Sequence, residues 1–94
     1  MNIRRLVLDV DKAMQRPTLL ELARAMAGVR GVEGFNITVT EIDIETVGMD
    51  VTVEGTNIDF DALIEAIESS GAVMHSVDQI VVGDRLVEGV KRSR

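Results

Sequence analysis

VEGFNITVTEIDIETVGMDVTVEG, residues 32–55, decides the fold. Phe35, Ile37 and Val39 share one parity, and Met49, Val51 and Val53 alternate with Asp50, Thr52 and Glu54. Alternation of this kind marks strands with one buried face. The stretch therefore predicts a hairpin, with strands over 32–46 and 49–55 and a turn at Thr46–Gly48. Ile42 and Ile44 break the parity of Phe35, Ile37 and Val39. One strand cannot hold both sets inside unless its face changes, so a bulge or strong twist is expected near Thr40–Glu41.

Working outward, IRRLVLDV (3–10) alternates with Leu6, Leu8 and Val10 on one side and Arg5, Val7 and Asp9 on the other. Thr18 with Glu21 forms a capping-box pattern just after Pro17. Leu19, Leu22, Ala23 and Met26 then give one face of an amphipathic helix that Gly28 and Gly31 end. Asp59 is a cap for a second helix, whose stripe is Phe60, Leu63, Ile64 and Ile67 and whose end is Gly71. AVMHSVDQIVVG (72–83) reads as a last strand, and 84–90 as a short trailing strand or turn of helix. The order is β-α-β-β-α-β. With right-handed crossovers it predicts an α+β, ferredoxin-like sandwich: one four-stranded antiparallel sheet in the order 4-1-3-2, both helices on one face. The other face, carrying Val7, is uncovered within a single copy and argues for a partner, most simply a second copy of the chain.

Ninety-four residues make one domain, 1–94, in which 85–94 is a trailing segment and basic tail. So short a chain buries only about 60–65% of its unfolded surface, so association would help it. No cysteine is present, which removes disulfides, thiolate metal sites and cysteine nucleophiles. The net charge of −6 disfavours nucleic acid as a partner, and two phenylalanines provide no stacking platform for bases. No membrane-length apolar run or leader-like segment occurs, so the expected location is the cytoplasm. Lys91, Arg92 and Arg94 read as a solvated, frayed end.

The chemistry left over is acidic. Glu41, Asp43 and Glu45 form a comb at alternate positions, and the topology gathers Asp9, Asp11, Asp43, Glu45, Asp50 and His75 toward one end of the sheet. Crowded carboxylates repel unless a cation or basic groups offset them. These six are the candidate ligands for a divalent cation of the calcium or magnesium type, with His75 also suited to a transition metal. No EF-hand loop or HExxH accompanies them. The comb also reads as the solvated face of a strand, or as an arm whose acids meet Arg4, Arg5, Arg24 or Arg30 of a neighbouring copy. No catalytic motif surrounds the single histidine, and no catalytic or cofactor-binding residue is singled out. Metallochaperone and RNA-recognition signatures are missing: there is no CxxC, and aliphatic or acidic residues stand on the central strands. The acylphosphatase signature is missing too, since no glycine-rich anion loop accompanies Arg16.

RRLVLDV, GVEGFNITVTEID, NIDFDALIEAIE and MHSVDQIVVG together resemble the archaeal family known as domain of unknown function 211. The resemblance covers nearly the whole chain. It implies a ferredoxin-like protomer in a ring-shaped homo-oligomer, with no catalytic residues to carry over. Gln79 stands where an acid is common in the family's pattern. The expectation is a non-enzymatic domain that self-assembles and binds or scaffolds; a divalent-cation or amino-acid-type ligand-binding regulator is the alternative.

Overall fold

The computed structural model describes residues 1–92. The elements are β1 (Ile3–Ala13), α1 (Leu19–Ala27), β2 (Val32–Ile42), β3 (Thr46–Gly55), α2 (Phe60–Ser69) and β4 (Val73–Val82). The four strands form one antiparallel sheet in the order β2-β3-β1-β4, the expected 4-1-3-2 order read from the other edge. The ferredoxin-like reading holds.

One core sits between the sheet and the helices. Leu6, Leu8 and Val10 from β1 and Met49, Val51 and Val53 from β3 are fully buried against Leu22 and Met26 of α1 and Leu63 and Ile67 of α2. Both helices therefore lie on the same face of the sheet. Thr18 accepts a hydrogen bond from the Glu21 N–H while Glu21 accepts one from the Thr18 N–H, completing the capping box. Asp59 caps α2 by accepting from the Ala62 N–H. Leu19 belongs to the expected α1 stripe yet is exposed, because α1 lies over the edge strand β2 and no element covers its outer flank.

The parity break in β2 is resolved by a bulge. Val39 pairs with Met49 and Glu41 with Gly48, leaving Thr40 unmatched in the ladder. Beyond it Ile42 pairs with Val47, on the same side as Phe35, Ile37 and Val39. The hairpin turn differs from the expected Thr46–Gly48: it lies at 43–45, so Ile44 and Glu45 leave the strand. Two forces move it. Burying Val47 draws Thr46–Gly48 into β3, and the Asp43 carboxylate accepts a hydrogen bond from the Ile44 N–H at 2.7 Å.

At the other end, the loop after α1 crosses β3 at close range. Gly31 has φ of +89°, and its carbonyl accepts from the Thr56 N–H at 3.0 Å. Residues 84–92 form neither strand nor helix, unlike the trailing element expected there. Their first part is instead tied to β1, where Arg4 donates to the Asp84 carbonyl and Arg5 to the Glu88 carboxylate, both at 2.9 Å. Arg94, part of the expected basic tail, lies outside the described residues.

Candidate functional site

The face of the sheet without helices carries the acids. β1 presents Asp9 and Asp11 there, β3 presents Asp50, and the bulge brings Glu41 of β2 alongside. Asp9 stands directly opposite Asp50 in the ladder, and Asp11 and Glu41 flank Gly48 from either side. A Cβ at Gly48 would touch Glu41 Cβ at 3.5 Å and Asp11 Oδ1 at 3.6 Å, so its absence leaves the floor between the two carboxylates open. With His75 and Asp78 of β4 and with Thr40, these residues line a depression of about 310 Å³.

Five carboxylates therefore share one depression with a single imidazole. Like charges directly opposite on a sheet are destabilising, and Asp9–Asp50 is such a pair. His75 Nδ1 lies 3.6 Å from Asp9 Oδ2, too far for a hydrogen bond and a charge pair only when the ring is protonated. No lysine or arginine among the described residues lines the depression. Among the described residues, no three acid or histidine side chains stand close enough to grip one ion. The geometry focuses negative potential and would concentrate cations, without presenting a closed ligand shell.

The fold thus brings four of the six candidate ligands together: Asp9, Asp11, Asp50 and His75. Asp43 and Glu45 are elsewhere, lining a separate shallow depression with Ile44 and Thr46 at the hairpin turn. Glu41 and Asp78 were missing from that set. Glu41 was signalled by the parity break itself, since a bulge at Thr40 sends the next side chain to the open face. Asp78 had no such signal. The β1–β4 register shifts between Asp9 and Val10 and again between Val7 and Leu8, and periodicity cannot reveal slips in the partner strand.

Residues 4–94 match the profile of DUF211, a family described as uncharacterized ArCR. The chain belongs to the DUF211 family. An uncharacterized protein of Methanocaldococcus jannaschii, MJ0319, is 44% identical over 90 residues, spanning 96% of this chain and 92% of its own length.

Four arginines of this DUF211 protein were candidates to meet the acidic comb of a neighbouring copy, and the structure divides them. Arg5 is engaged within its own chain: Nε meets Glu54 Oε2 at 2.7 Å and Nη1 meets Glu88 Oε1 at 2.9 Å. The hydrogen bonds Arg5 donates to Glu88 and then to Glu54 push its guanidinium above its ordinary value, and the same bond to Glu88 holds that carboxyl below the usual carboxylate range. Arg4 donates to the carbonyls of Gly55 and Asp84. Arg24 and Arg30 are exposed and make no ion pair among the described residues. Within those residues, no helix is long and apolar enough to cross a membrane.

Proposed function

We propose that this DUF211 protein is a non-enzymatic domain that self-assembles into a ring-like homo-oligomer and acts there in binding or scaffolding. The supporting observation is apolar surface left outside the core. Ile44 is 88% exposed, Ile42 70% and Leu20 59%, and further aliphatic side chains are open on β4. A domain this small gains from covering such surface, and a second copy is the simplest cover. Light scattering after size exclusion tests the reading: a species several times the 10.3 kDa chain mass supports it, and a monomer at micromolar concentration overturns it.

A second reading is favoured by the unrelieved Asp9–Asp50 opposition: a divalent cation held at the acidic depression, within one copy or between copies. Such a cation would offset the repulsion and stabilise the folded state by mass action. The same scattering experiment with EDTA separates the two. An oligomer unchanged by chelator favours assembly alone, and one that falls apart in EDTA and re-forms with calcium or magnesium places the cation at its centre.

A further inference from the structure

We propose that the copies join edge to edge, the β2/α1 edge of one protomer pairing with the β4/α2 edge of the next, so that one antiparallel sheet continues from copy to copy. This rests on the self-assembly reading and specifies its interface.

Strand direction permits it. β2 is antiparallel to β3, β3 to β1 and β1 to β4, so the two outer strands run in opposite directions. A copy displaced sideways therefore sets its β2 antiparallel to the first copy's β4, with the helices of both on the same side. Across 11 and 10 residues, β2 and β4 contain no proline, lysine or arginine to blunt the edge, and although bulges interrupt both, β2 keeps an unbroken run from Gly34 to Val39 and β4 one from Gln79 to Val81.

Each edge carries apolar surface on the helix side. Along the first, Leu19, Leu20 and Ala23 of α1 and Phe35 and Ile37 of β2 line an open groove of about 420 Å³. Along the second, Ile80 pairs with Leu6 and Val77 with Leu8. Leu6 and Leu8 are fully buried, yet Ile80 is 49% exposed because α2 leaves the outer flank of β4 uncovered.

Charge then decides which edges meet. Residues 31–84 contain no lysine or arginine. Asp61, Glu65 and Glu68 of α2 are exposed, and α2 lies against β4. On the α1 side, Glu21 is bound to Arg16, whereas Arg24 and Arg30 are exposed without an ion-pair partner among the described residues. Two β4/α2 edges brought together would oppose acid to acid; the mixed pairing sets acid against arginine. Contacts between unlike edges propagate head to tail and close into a ring when the rotation between copies permits it.

Two variants, each blocking one edge, test this. Ile80→Lys with Val82→Lys blocks β4; Leu20→Glu with Arg24→Glu blocks the α1 groove and reverses its charge. All four positions are exposed, and circular dichroism checks that each variant keeps the parent's helix and strand content. Each variant alone should run as a monomer. An equimolar mixture should run at twice the 10.3 kDa chain mass, since only one productive edge pair remains and it cannot propagate. The proposal is overturned if either folded variant alone still forms dimers or larger species, or if the mixture stays monomeric. A parent protein that is itself monomeric would instead sink the self-assembly reading.

Discussion

Deleting Thr40 should leave the protein folded, while deleting Asp50 should come close to unfolding it. Thr40 is the unmatched residue of the bulge, between the Val39–Met49 and Glu41–Gly48 pairs. Without it those two pairs become consecutive, and every side chain from Val32 to Ile42 keeps its face. The loss is the Thr40 Oγ1–H hydrogen bond to the Gly48 carbonyl, a 3.3 Å exposed contact. Such a bond contributes about 0.5–1.5 kcal/mol, so the deletion should cost about 1 kcal/mol or less. Asp50 lies in an unbroken ladder between buried neighbours. Its removal forces one half of β3 to change faces, expelling either Val47 and Met49 or Val51 and Val53, all buried. At about 1.5–3 kcal/mol per side chain, the cost is about 3–6 kcal/mol. That is from about a third to all of the roughly 5–10 kcal/mol expected for a domain this size. Urea unfolding followed by circular dichroism, at matched protein concentration, measures both. Equal destabilisation by the two deletions would refute the bulge as the device that reconciles the two parities.

Other perturbations probe the remaining features. Gly55→Ala would place a Cβ 1.8 Å from the Gly31 carbonyl oxygen, a backbone atom that cannot yield alone, so the melting temperature should fall sharply, by the equivalent of about 3 kcal/mol or more; a variant that melts like the parent would show that the crossing of the two segments is not rigid. Because Arg5 lowers the Glu88 carboxyl, the contribution of that contact is present above the ordinary carboxylate range and is lost as pH falls through the lowered value. Backbone order of residues 84–90, read by NMR relaxation, should therefore fall as pH drops through the lowered Glu88 value, and in Glu88→Gln it should already be reduced at neutral pH; order insensitive to both would contradict the tether. Asp50→Asn removes the opposition to Asp9 and should raise stability by a few tenths of a kcal/mol in EDTA. If it lowers stability only when calcium or magnesium is present, the depression holds a cation.

The strands, helices and caps were legible because each rests on local periodicity or a short-range hydrogen bond. Leu6, Leu8 and Val10 alternate, Thr18 and Glu21 are three residues apart, and the clash of parity between Val39 and Ile42 announced the bulge. The position of the hairpin turn was not legible. Thr46-Val47-Gly48 carries a turn-like glycine, and only the burial of Val47 beneath the helices shows that it belongs to the strand.

By itself, then, the sequence determined the order of elements, the sheet topology, the side of each strand that faces the helices, and the excess of carboxylates with no cysteine. The tertiary structure decided which carboxylates meet. Asp43 and Glu45 went to the turn, while Glu41 and Asp78 joined Asp9, Asp11, Asp50 and His75. It also decided that Arg4 and Arg5 are held within their own chain, while Arg24 and Arg30 have no ion-pair partner among the described residues. The division has one physical cause. Periodicity fixes the face of a side chain along its own strand, whereas proximity across strands depends on register, and register here is shifted by bulges set through the packing of two strands at once.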